Sequence, residues 1–112
     1  MQFGALPAVE VGDVPADGFV LDVREDDEWA AGHAEGALHV PMSGFVARLG
    51  EVTEQAGDQR IFVVCRVGGR SAQVTQYLVG QGFDAVNVEG GMQAWEAAGR
   101  PLVGDVDPAY VL

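Results

Sequence analysis

The sequence predicts an α/β domain: a mostly parallel sheet of about five strands, flanked by helices on both faces. Three observations carry this reading. Ile61-Phe62-Val63-Val64 is an unbroken run of strand formers without polar alternation, the pattern of a strand buried on both faces of a parallel sheet. Similar short runs alternate along the chain with helix-like segments closed by glycine. The 112 residues, 48% hydrophobic and 21% charged, suit one globular domain over 1–112, without repeats, low-complexity stretches or a dividing linker.

The elements follow in order. Val9-Glu10-Val11 is a weak strand, and Gly12 to Gly18 is rich in turn residues. Phe19 to Val23 is a stronger strand. Arg24 to Ala31 reads as a helix whose acidic residues crowd the first turn, where the dipole favours them, and Gly32 ends it. Leu38-His39-Val40 is a short strand stopped by Pro41. Ser43 is placed to N-cap a helix through Leu49, with a second helical piece near Glu51 to Gln55. The central strand Ile61–Val64 runs directly into Cys65. Beyond a glycine-containing turn, Ser71 to Val79 is helical, with Val74 and Leu78 one turn apart. Ala85 to Val88 is the next strand, and Gly90-Gly91 turns into a last helix over Met92 to Ala97, closed by Gly99.

Composition excludes several function classes. Seventeen acidic residues face six arginines and no lysine, a net charge of −11, so nucleic acid and anionic membrane surfaces are poor partners. Without lysine there is neither Schiff-base nor P-loop chemistry. No apolar run approaches the roughly 20 residues that span a bilayer. The start, Met1 to Pro7, lacks the basic and apolar regions of a secretory signal, so a cytoplasmic protein is expected. Cys65 is the single cysteine, which forbids an internal disulfide. With only His33 and His39 to help it, no metal site is expected, and no cofactor.

Cys65 stands where a buried strand meets a helix, with Arg66-Val67-Gly68-Gly69-Arg70 between. At the carboxyl end of a central strand, loop amides and the next helix N-terminus converge on one small volume. Successive N–H groups there form an anion nest, and Arg66 and Arg70 add positive charge. A thiol so placed has a depressed pKa and rests largely as thiolate. Gly68 and Gly69 permit the tight curl. Free cysteines are more often inert core residues. Two arginines within five residues argue against that here, because they are costly beside an inert buried thiol.

The segment Cys65-Arg66-Val67-Gly68-Gly69-Arg70-Ser71 resembles the active-site loop of the rhodanese sulfurtransferases. Three further blocks carry the same resemblance in family order: Leu21 to Glu25 with Glu28-Trp29, Gly32 to Pro41, and Val86 to Trp95. Together they cover about residues 5–103, leaving 104–112 as an apolar tail expected to pack on the domain or on a second subunit. The resemblance implies a persulfide-forming cysteine and sulfur transfer by double displacement. Cys65 takes the outer sulfur of a donor such as thiosulfate, or of a persulfide, and passes it to a thiophilic acceptor: cyanide, a thiol or a partner protein. Tyrosine phosphatases place arginine six positions after cysteine; here Arg70 is five positions on, a bowl better sized for a sulfur than for a phosphoryl group.

Residue roles follow from the same resemblance. Loop N–H groups from Arg66 to Arg70 should hold the outer sulfur as an anion. Arg70 is assigned to fix the loop and face the anion, with a salt bridge to an acidic residue as its alternative. Arg66 is assigned to guide the donor, and an arginine at that position favours thiosulfate. Val67 and Gly69 leave the mouth open. Asp22 and Arg24 are read as a structural pair, His33 and His39 as satisfied structural histidines, Trp29 and Trp95 as core anchors, and Glu25 to Glu28 as a solvated helix start. Two other functions remain open. A sulfur-carrier or docking module would turn over thiosulfate poorly but pass sulfur quickly to a protein thiol. A thiol redox sensor would need a resolving cysteine from outside the chain.

Overall fold

A computed structural model describes residues 6–112; the reading of Met1 to Ala5 lies outside them. Five strands form one parallel sheet in the order β1-β5-β4-β2-β3: β1 (Ala8–Val9), β2 (Phe19–Asp22), β3 (Leu38–His39), β4 (Ile61–Val64) and β5 (Ala85–Val88). The run chosen as the central strand is central. Four α-helices connect and cover the sheet: α1 (Asp26–Ala31), α2 (Leu49–Ala56), α3 (Gly69–Gly80) and α4 (Gly91–Ala97).

The alternation of side chains along each strand divides the core in two. Val63 and Cys65 face one side with Leu21, Val23, Val52 and Ala56 of α2, and Val74 and Leu78 of α3. Phe62 and Val64 face the other with Val86, Val88, and Met92 and Trp95 of α4. Helices therefore bury both faces, as the uniformly apolar β4 requires.

The departures from expectation are local. The first strand is Ala8–Val9, because Val11–Asp13 turns into a 3₁₀ helix with Glu10 and Asp13 in a reciprocal capping box. Val23 and Val40 lie beyond the ladders of their strands. The helix expected from Arg24 begins at Asp26; Arg24 is fully buried and Glu25 is the N-cap. Ser43 caps no helix. Its hydroxyl donates to Glu25 Oε1 at 2.9 Å, and the segment makes two 3₁₀ turns, Met42–Gly44 and Val46–Arg48, before α2. Helix α3 starts at Gly69, two residues before Ser71, so the end of the cysteine loop is already its first turn.

Chain direction locates the functional crevice. From β2 the chain steps outward to β3; from β4 it steps the opposite way to β5. Between β2 and β4 the order reverses, and open parallel sheets bind ligands at the carboxyl ends of the strands at such a switch point. Cys65 follows β4 there, opposite Arg24 and Glu25 after β2.

Candidate active site

Cys65 is 1% exposed, a free thiol at the base of its loop. The Gly68 amide donates to Sγ at 3.1 Å, and the Ser71 hydroxyl lies 3.3 Å from it. Burial alone pushes the thiol up. Hydrogen bonds from the Ser71 hydroxyl and from the Ser71, Gly68 and Val67 amides outweigh burial and hold it below the ordinary thiol value.

The loop holds this shape because α4 grips its outer side. The amide of Met92 donates to the Cys65 carbonyl at 2.8 Å, and that of Gln93 to the Arg66 carbonyl at 3.0 Å. In a trans peptide the carbonyl and the next N–H point in opposite directions. Carbonyls turned toward α4 therefore turn the Arg66 and Val67 N–H groups away from it, and the Val67 amide is among those that stabilise the sulfur anion. The close approach requires Gly91, whose φ is +52°: a Cβ there would collide with the Cys65 carbonyl and stand 2.8 Å from that of Arg66. Gly68, at φ +118°, supplies the left-handed residue where the loop enters α3.

Of the expected site residues, Cys65, Val67, Gly68 and Gly69 form the bowl, with Val67 half exposed at its mouth. The arginines are already engaged. Arg70 donates Nη1 and Nη2 to the two Glu28 oxygens at 2.7 and 2.9 Å, a bidentate pair tying α3 to α1. The salt-bridge alternative thus describes Arg70, whose guanidinium remains within electrostatic reach of Cys65. The reading of Glu28 is corrected. Far from being solvated, its side chain is 14% exposed, and the Arg70 hydrogen bonds bring its carboxyl down to about 2, against the opposing effect of burial. Arg66 is exposed, and its Nε donates to the Leu112 carbonyl at 3.2 Å.

Other side chains sort as follows. Asp22 and Arg24 form a buried forked pair, with Nη2 to Oδ2 at 2.7 Å, and Nη2 also reaches the Gly32 carbonyl. His33 and His39 bind the carbonyls of Trp29 and Arg24, both at 2.7 Å. Trp29 belongs to neither core cluster; half-buried, it stacks with both imidazoles, with centroids 3.5 and 4.6 Å away. Trp95 is the core anchor expected, its indole N–H donating to Pro101. A cavity of about 260 Å³ lined by Pro15, Val20, Trp95 and Arg100 is separate from Cys65. Among the described residues no three His, Cys, Asp or Glu side chains cluster to hold a metal ion.

Three residues of the site, Glu28, Ser71 and Asn87, were not assigned a role from sequence. Glu28 and Arg70 are 42 positions apart with no local pattern linking them. Ser71 and Asn87 join at the floor of the loop, where Ser71 Oγ is 2.6 Å from Asn87 Oδ1 and Asn87 Nδ2 donates to the Gly68 carbonyl at 3.2 Å. Asn87 had a signal: it is the one polar residue of Ala85–Val88, and period two sets it on the Ala85 face, toward α3.

This geometry has counterparts. The profile of the Rhodanese-like domain matches residues 9–98. A putative sulfurtransferase of Bacillus subtilis is 41% identical over 74% of this chain and 78% of its own length. A sulfurtransferase of Allochromatium vinosum is 36% identical over 78% and 79%. Among solved structures, a rhodanese-related protein of Thermoplasma volcanium superposes with a TM-score of 0.78 at 31% identity, covering 87% of this chain and 97% of its own.

Proposed function

Because the chain belongs to the family of rhodanese-like domains, we propose that it is a sulfurtransferase working through a persulfide on Cys65, with thiosulfate as donor and a ping-pong sequence of two half-reactions. The observation that carries this is the thiol itself: buried, at the carboxyl end of the central strand, with its proton affinity lowered by loop amides and a hydroxyl. In the first half-reaction the Cys65 thiolate attacks the outer sulfur of thiosulfate. The new bond joins Sγ to that sulfur, and the old sulfur–sulfur bond breaks with its electron pair leaving on sulfite. In the second, the acceptor attacks the bound outer sulfur, and the electron pair of the breaking bond returns to Sγ. With cyanide the product is thiocyanate. The loop amides stabilise negative charge in both steps, and a thiol already disposed to ionise needs no separate base.

The reading of thiosulfate is supported by Arg66 at the mouth. It also has support from similarity to a thiosulfate sulfurtransferase of Pseudomonas aeruginosa, 26% identical over 90% of this chain and 21% of that protein, with a TM-score of 0.76. One observation favours a persulfide donor instead: Arg70 is held by Glu28 and Arg66 by Leu112, so a dianion meets arginines that already have partners. A lone working thiol stays free in a reducing compartment, and the cytoplasm is the proposed setting. The test is sulfite release before any acceptor is added. One equivalent per chain, absent in Cys65→Ser, supports the proposal; no sulfite, together with loading from an alkyl persulfide, would replace thiosulfate by a persulfide donor.

A further inference from the structure

We propose that Ser71 is a catalytic residue whose hydroxyl changes hydrogen-bond partner with the charge on Cys65 Sγ, and that Asn87 positions it; its role in turnover rests on the sulfur-transfer reading. Ser71 is 0% exposed, its Oγ 3.3 Å from Sγ and 2.6 Å from Asn87 Oδ1. A hydroxyl has one proton and donates to one of these acceptors at a time. The Asn87 amide decides which. Its Nδ2 donates to the Gly68 carbonyl, which turns Oδ1 toward Ser71, and two oxygens 2.6 Å apart need a proton between them. With the thiol neutral, Ser71 therefore donates to Asn87 and its oxygen accepts from the S–H.

When Sγ is a thiolate it has no proton to give, and the Ser71 proton gains more on the anion than on a neutral amide oxygen. A rotation of the hydroxyl brings it onto Sγ without any movement of the backbone. A buried asparagine in an otherwise apolar strand is costly unless its groups are bound. Asn87 is bound on both sides: it parks the hydroxyl through Oδ1, and through Nδ2 it holds the carbonyl of Gly68, the residue whose own N–H faces Sγ.

The arrangement matters most when sulfur leaves the protein. A persulfide Cys65–S–S⁻ and an acceptor thiol R–SH give Cys65–S⁻ and R–S–SH. The acceptor sulfur bonds to the outer sulfur, the bond from the outer sulfur to Sγ breaks with its pair remaining on Sγ, and the acceptor proton passes to the outer sulfur. Negative charge thus develops on Sγ only as the bond breaks. A donor parked on Asn87 beforehand and turned onto Sγ at that moment binds the transition state more strongly than the persulfide.

The test uses the whole chain and two readouts: the pH midpoint of Cys65 alkylation by iodoacetamide, and single-turnover transfer from the thiosulfate-loaded chain to cyanide. Ser71→Ala should raise the midpoint and slow transfer by about tenfold, the loss of one hydrogen bond to a charged group. The isosteric pair Ser71→Thr and Ser71→Val isolates the hydroxyl should the alanine variant fail to fold: threonine should keep both values near those of the unaltered chain and valine should not. Equal midpoints and equal transfer rates for threonine and valine would overturn the proposal. Failure of the unaltered chain to load would count against sulfur transfer, while the alkylation midpoint still reads the Ser71 switch.

Discussion

Arg70 senses the sulfur charge yet gives its two outer nitrogens to Glu28, and its own proton affinity is raised chiefly by those hydrogen bonds, with burial opposing. The pair fastens the first turn of α3 to the first turn of α1. Its pH dependence has a definite sign. Glu28 titrates near 4.5 in the unfolded chain and at about 2 in the folded one, so its contribution is present above pH 4.5 and is lost as pH falls through about 2. Glu28→Gln keeps the hydrogen-bonding shape and removes the charge. It should cost about 1–2 kcal/mol at pH 7, a value discounted for the partial exposure of Arg70. Urea unfolding should show the gap between the two chains narrowing below pH 4.5; a gap constant down to pH 2 would mean that folding does not lower the Glu28 proton affinity and that its charge is not the source of the gap.

Elements explain why the loop was readable and its supports were not. Ile61–Val64 announced the central strand through its unbroken apolar run, and Cys65 with its glycines and arginines announced the bowl. Both signals are contiguous in sequence. The grip of α4 on the Cys65 and Arg66 carbonyls, the Glu28–Arg70 pair and the Ser71–Asn87 link join distant segments, and tertiary contacts of this kind leave no periodic trace. The same holds for Arg24: its place after β2 looked like a helix start, but burial with Asp22 removed it from the helix. At Gly91 the grip can be tested directly. Gly91→Ala forces a side chain onto the Cys65 carbonyl at positive φ, and should destabilise the fold by about 2 kcal/mol or more while slowing alkylation of Cys65. A variant with unchanged melting temperature and unchanged thiol reactivity would show that the loop does not depend on α4.

Across the whole molecule, the tail closes the structure on itself. Residue Val103 forms an antiparallel bridge with His33, the Asp105 amide donates to the Ala30 carbonyl at 2.7 Å, and the Tyr110 amide donates to that of Ala31 at 3.0 Å. A Cβ at Gly104 would stand 2.8 Å from the Ala31 carbonyl, so the strap passes in close contact with the end of α1. Leu102 and Val111 pack on the α4 face of the core, and Leu112 meets Arg66 at the mouth of the site. Packing on its own domain is one of the two placements expected from the tail's apolar residues, and Val106, Tyr110 and Leu112 stay half exposed. Ending the chain after Arg100 should therefore lower stability by about 2 kcal/mol in thermal unfolding, from the loss of partly buried apolar surface and these backbone bonds. An unchanged transition would show the strap to be energetically idle.

The central claim is that Cys65 carries the transferred sulfur, and intact mass tests it most directly. After brief exposure to thiosulfate and removal of the excess, the chain should be one sulfur atom heavier. Cyanide should reverse the gain with formation of thiocyanate, and Cys65→Ser should show no gain. A chain that stays at its original mass with thiosulfate and with an alkyl persulfide alike, while Cys65 remains open to alkylation, would contradict the account.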